Sequence, residues 1–154
     1  MADIHIEEFY RDTAIVLVQL YNAFPRKVSL YVEDISGPDT PDEFGLHSRR
    51  HRACFGAMLW LAEEGHIRYQ DTIAQDAVDQ VVLTQPAFTR LNAVVKIEAL
   101  PASLAGTYPE DTEGLPPAIQ AEYATNIHLL RVALKKGNSS LIADAVQAIL
   151  FPAI

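Results

Sequence analysis

Along this chain the spacing of apolar residues changes, and each change marks a new element. Over residues 7–24, EEFYRDTAIVLVQLYNAF, the residues Phe9, Val16, Leu17, Leu20 and Phe24 fall at i, i+7, i+8, i+11 and i+15, one face of a helix. Glu7 and Glu8 stand at its start, where the helix dipole favours them, and Pro25 ends it. VSLYV, Val28 to Val32, is β-branched and alternating, which predicts a short strand.

The next stretch, ISGPDTPDEFGLHS, carries two helix starts. Thr40-Pro41-Asp42-Glu43 has the form of a capping box with proline at the first helical position, and Gly45 would stop that helix after little more than a turn. Ser48 then caps a longer helix, RRHRACFGAMLWLAEE, ended by Gly65. HIRYQDTI and DQVVLT are strand-like segments joined by a polar, acidic turn. Thr84-Gln85-Pro86 starts another helix, with Phe88, Leu91 and Val95 among its apolar positions.

The order helix, strand, short helix, helix, two-stranded wing, helix over residues 7 to 95 resembles the winged-helix family. WLAEEGHIRY, a helix passing through glycine into the first wing strand, is similar to that family's pattern. So is VVLTQPAFTRL, although Ala87 stands where the family's strand-to-helix exit often has glycine. The resemblance implies an α+β fold, and says much less about the ligand.

Residues 101–117, PASLAGTYPEDTEGLPP, are rich in proline, glycine and acids and predict a linker. Beyond it, AIQAEYATNIHLLRVALKK and NSSLIADAVQAIL predict two helices broken at Gly137-Asn138. In the second, Leu141, Ile142, Ala145, Val146, Ile149 and Leu150 form an apolar stripe that must be buried on the first part or on another chain. The expected organisation is therefore a winged-helix-like domain over 1–100, a linker over 101–117 and a C-terminal helical hairpin over 118–154.

Composition narrows the setting. The chain has 154 residues, 49% of them hydrophobic and 21% charged, which suits one globular core. The longest apolar run in the first half is Ala14 to Val18, and nothing approaches the roughly 20 residues a membrane helix needs. The acidic start MADIHIEEFY is unlike a signal peptide, and a single cysteine makes no intrachain disulfide, so a cytoplasmic location is expected. The net charge of −8 repels nucleic acid at long range unless the bases cluster.

They do cluster in HSRRHRAC, His47 to Cys54. His47, His51 and Cys54 have i, i+4, i+7 spacing, which could place three metal ligands on one helical face. Against this, His47 lies outside a helix capped by Ser48, the neighbouring arginines repel a dication, and no acid has a telling spacing. No metal and no cofactor are therefore expected. Arg50 and Arg52 could activate Cys54, but Cys54 lies beside the stripe of Phe55, Met58, Leu61 and Ala62 and is expected in the core.

By the winged-helix resemblance, the helix before the wing would enter a DNA groove with Arg49, Arg50 and Arg52 at its leading end, helped by Arg68. The open face of that helix, however, reads Arg49, Ala53, Gly56, Ala57, Trp60 and Glu64, and after its first turn offers nothing that hydrogen-bonds a base edge. Asp71, Asp76 and Asp79 make the wing acidic, as Asp39, Asp42 and Glu43 do the short helix. Ala53, Gly56 and Ala57 are small enough to admit another helix, and Trp60 suits an interface anchor. No nucleotide-binding or hydrolase motif is present, and the acid pairs Glu7-Glu8, Glu33-Asp34 and Glu63-Glu64 sit at element ends. His5, His66 and His128 are isolated in sequence. The expectation is a non-catalytic binding module acting through protein contacts, as a homodimer or a subunit of a larger assembly. The alternative is a DNA-binding transcriptional regulator. Neither a membrane nor a small-molecule ligand is expected.

Overall fold

The computed structural model describes residues 3–96, 100, 102 and 114–152. Among these the chain is mixed α+β. Helix α1 (Ile4–Ala23) is followed by strand β1 (Val28–Tyr31), α2 (Val32–Ser36) and α3 (Arg49–Glu63). Strands β2 (Ile67–Arg68), β3 (Asp71–Ile73) and β4 (Ala77–Leu83) come next, then α4 (Gln85–Asn92). Three helices close the chain: α5 (Pro117–Tyr123), α6 (Asn126–Lys136) and α7 (Ser139–Leu150).

The sheet is antiparallel and centred on β4. On one side β1 pairs with it, Val28 opposite Val81 and Leu30 opposite Val78, with a register shift between these two pairs. On the other side β3 places Thr72 opposite Val78, and β2 places Ile67 opposite Leu83. Because β4 has neighbours along both edges, five of its seven residues are buried, and it reads VVL rather than as a strict alternation.

Helix α1 is the hub, packing on α3, α6, α7 and β4. Its buried face includes Ala14, Val16, Leu17 and Leu20. These join Met58 and Leu61 of α3, Val81 and Leu83 of β4, Leu129 and Leu130 of α6, and Val146 and Ile149 of α7 in one hydrophobic cluster. The apolar stripe of the C-terminal hairpin is thus buried within its own chain.

The short helix forms in a different place from the one the capping box predicts. Thr40-Pro41-Asp42 is irregular and leads into a turn at Glu43-Phe44, and the helix lies upstream at Val32–Ser36, beginning where the strand was expected to end. Asp42 explains the difference. Its Oδ1 accepts hydrogen bonds from the backbone N–H of Phe44 (2.8 Å) and Leu46 (2.9 Å), groups that a helix would have directed elsewhere. Phe44 is 80% exposed and gives such a helix no face to bury, whereas Val32 and Ile35 bury theirs.

The helix expected over AIQAEYATNIHLLRVALKK is divided. Ala93, Val94 and Val95 run alongside Ala124, Thr125 and Asn126, with Val95 N–H donating to Ala124 O (2.8 Å) and Asn126 N–H to Ala93 O (2.9 Å). Those bonds claim the backbone that would have continued the helix, and Thr125 caps the new start. The same pairing takes Val95 out of α4, although it remains buried. Gly137, in the left-handed conformation at φ 70°, ends α6 at the break the sequence predicts, and Asn138 caps α7. Most of the expected 101–117 linker lies outside the described residues. No helix among the described residues is long and apolar enough to cross a membrane.

Candidate functional site: the α1–α3 cleft and the start of α3

Helix α3 is set in place at its first turn. Ser48 Oγ accepts the His51 backbone N–H at 3.2 Å, as the cap position predicts. The helix buries His51, Cys54, Ala57, Met58 and Leu61. Its other side leans toward α1, and between the two helices runs an apolar cleft of about 570 Å³. Ala53, Gly56, Ala57 and Trp60 line one wall, Ile6 and Phe9 the other, and Phe151 closes one end. All four small or aromatic residues expected at an interface therefore share one concavity. Ala57, expected on the open face, is buried (6% exposed) because α1 overhangs it.

Trp60 keeps 39% of its surface exposed. Its ring meets Phe9 edge-on at 5.4 Å and Phe151 at 5.9 Å. The C-terminal segment thus reaches the Trp60 face through Phe151 and leaves the middle of the cleft open. At Gly56 a Cβ would meet nothing within 4 Å. Helical spacing puts Phe9 on the core face of α1, and nothing in the sequence singles out Phe151. Both are cleft residues.

The arginines divide. Arg50, expected to lead a DNA-reading helix, turns back onto α1, and its guanidinium forks onto Asp12 with bonds of 2.7 and 2.5 Å. Its Nε lies 3.7 Å from Glu8. The hydrogen bond it donates to Asp12 holds the guanidinium proton more firmly than in a free arginine. Asp12 is only 1% exposed, so Arg50 is the counter-charge of a buried carboxylate. This removes Arg50 from the expected contact set. Arg49, Arg52 and Arg68 are exposed and make no ion pair among the described residues.

Cys54 is fully buried among core residues, and burial, followed by the charge of Asp12, pushes its thiol up to about 12. It is neither a reactive thiol nor a neighbour of the histidines' free edges. Instead, the 37–47 loop brings Asp39 to His47 and His51. The two imidazoles stack with centroids 3.7 Å apart, although His47 lies outside the helix. His47 Nδ1 is 2.9 Å from Asp39 Oδ2, and its Nε2 is 3.0 Å from Asp76 Oδ1 in the β3–β4 turn. Hydrogen bonds from Ser48 and His47 hold the Asp39 carboxyl down at about 2. Asp39, His47 and His51 are the described residues whose ligand atoms gather within 4.8 Å of one another. The i, i+4 histidine spacing was visible in the sequence; Asp39 and Asp76 reach it only through loop closure.

The β3–β4 hairpin is acidic, with Asp71 opposite Asp79 in the register. Asp79 accepts a 2.6 Å hydrogen bond from Ser29 Oγ, and Asp71 accepts one from the Thr72 backbone N–H at 2.7 Å. His66 is nearly buried between Trp60 and Phe151; desolvation, then the charge of Arg90, lowers its pKa. Comparison with protein-family models, with curated proteins and with solved structures finds no match to this chain.

Proposed function

We propose that this chain is a winged-helix-type binding module that does no chemistry itself and works through protein contacts at the α1–α3 cleft. The order of α1, β1, α2, α3 and the β3–β4 hairpin, with β1 completing the sheet, supports the winged-helix reading. The observation that carries the function is the open space in front of Gly56. Glycine inside a helix costs about 1 kcal/mol relative to alanine. Here no described residue uses the close approach that glycine permits. Flanked by Ala53, Ala57 and the partly exposed Trp60, the position fits an apolar helix supplied by a second protein or a second copy.

Light scattering on the purified protein, together with capture from the native host, tests this reading. The wild type is expected to self-associate or retain a partner, and Gly56→Leu, which fills the cleft, to lose it. A monomer that captures nothing overturns the reading, as does capture that Gly56→Leu leaves intact.

The exposed Arg49, Arg52 and Arg68 favour the second reading, a DNA-binding transcriptional regulator that approaches with the start of α3. It requires affinity that falls steeply with salt, because each neutralised phosphate releases counterions. Fluorescence anisotropy on random-sequence duplex at low and moderate salt separates the two. The acidic wing and the net charge of −8 place protein contact first.

A further inference from the structure

Three segments meet at the start of α3: the 37–47 loop, the first helical turn and the β3–β4 turn. The geometry points to a site there for a borderline divalent cation of the zinc class, held by Asp39 Oδ2, His47 Nδ1 and His51 Nδ1. Both Nδ1 atoms face the same carboxylate oxygen, His47 at 2.9 Å and His51 at 3.9 Å.

The outward nitrogens are arranged as in a metal site. His51 Nε2 is 2.9 Å from the backbone carbonyl of Gln75, and His47 Nε2 is 3.0 Å from Asp76 Oδ1. An imidazole that gives its outer N–H to an oxygen acceptor keeps the inner nitrogen's lone pair free and oriented for a cation. His51 has that arrangement as it stands; His47, whose Nδ1 donates to Asp39, takes it up when a cation displaces that proton.

His51 supplies an independent sign. The residue is 1% exposed, and its Nδ1 has no hydrogen-bond partner among the described residues. A buried lone pair left unmatched is rare in folded proteins, and this one is aimed at the cluster. Two imidazoles and one carboxylate suit zinc, cobalt or nickel better than calcium or magnesium, which prefer oxygen alone. Solvent can supply the fourth ligand, since His47 and Asp39 side chains remain 13% and 11% exposed. Of the nearby arginines, Arg50 is committed to Asp12 and Glu8, and Arg49 and Arg52 are exposed, where solvent and salt screen their charge.

The stacked rings, 7° from parallel, send their lone pairs side by side. Closing both on one ion, at about 2.0–2.1 Å from each nitrogen, requires one ring to turn. His47 is the ring able to do so, since it precedes the helix while His51 is locked in the core. A bound ion would then pin loop, helix and hairpin turn together.

Tag-free protein titrated with Zn²⁺ by calorimetry and thermal melting tests the site, with Co²⁺ absorption reporting the ligand geometry. One equivalent per chain is expected, with Tm raised by about 5 °C or more at a hundredfold excess over Kd. His47→Gln and Asp39→Asn should each weaken binding by at least about tenfold, while Cys54→Ser leaves it unchanged. Circular dichroism confirms that each variant folds, and His47 is chosen over the core residue His51 for that reason. Absence of heat and of any Tm change at about 100 μM Zn²⁺, a concentration that detects sites far weaker than structural zinc, overturns the proposal. So does binding that both variants retain at full strength, which would leave His47 as an ion-pair bridge between Asp39 and Asp76.

Discussion

Arg50 and Asp12, 38 positions apart in the chain, form a two-bonded ion pair that joins the first turn of α3 to the middle of α1. The carboxylate is buried and the guanidinium partly so, which makes the pair unequal to either partner's loss. Arg50→Ala leaves a buried charge unmatched and is expected to cost about 3–5 kcal/mol. Arg49→Ala and Arg52→Ala, both exposed, should stay within about 0.5 kcal/mol of wild type. Urea denaturation of the three variants measures this, and equal effects would show that the pair does not hold the helices together.

The same pair determines how DNA binding must be probed. A triple alanine variant at Arg49, Arg50 and Arg52 would lose fold and charge together. Arg49→Ala/Arg52→Ala keeps the fold and removes only the free charges. With protein contact as the function, duplex DNA is expected to show no anisotropy change with wild type or double variant at low salt. Salt-sensitive binding that the double variant loses would move the start of α3 onto a phosphate backbone.

Gly56 lies mid-helix with open space before it. Gly56→Ala is expected to stabilise the isolated protein by about 0.5–1 kcal/mol, through helix propensity alone. A destabilised variant, read by thermal melting, would mean that α1 sits closer to this position than the cleft allows.

Cys54 should be silent to alkylating reagents. With its thiol pushed up to about 12 by burial, almost no thiolate exists at pH 8 and no solvent reaches it. Modification in native buffer is expected to track unfolding, so the reaction should accelerate sharply in Arg50→Ala. Fast labelling of the stable wild type would contradict the packing of α3.

Acid should weaken the fold in two windows. His66 has a folded pKa below its ordinary 6.5, so the unfolded chain takes the proton first and stability falls as pH drops below 6.5. Asp39, held at about 2 against an ordinary 3.8, contributes stability above 3.8 that is lost as pH falls toward 2. Denaturation midpoints measured from pH 7 to 2 should show both declines. His66→Gln should flatten the upper window and Asp39→Asn the lower; a variant that titrates like wild type would remove its residue from this account.

What depends on neighbours a few residues apart is legible in the order of residues alone. Helix α1, the Ser48 cap, the Gly137-Asn138 break and the core position of Cys54 follow from periodicity and capping chemistry, which act within one or two turns. What depends on competition between distant groups emerges only when the chain is folded. Thr40–Glu43 has the local form of a helix start, yet Asp42 and the lack of a buried face made it a turn. A continuous helix through Thr125 lost to backbone pairing with residues 93–95. Arg50 stood among three similar arginines, and only the buried Asp12 across the helix interface set it apart. Ala53, Gly56, Ala57 and Trp60 could be read as a face from helical spacing, but whether the chain covered that face depended on where Phe151 came to rest. Spacing likewise exposed the His47–His51 pair, while the carboxylates beside it arrived by loop and hairpin closure, whose partners no local pattern encodes.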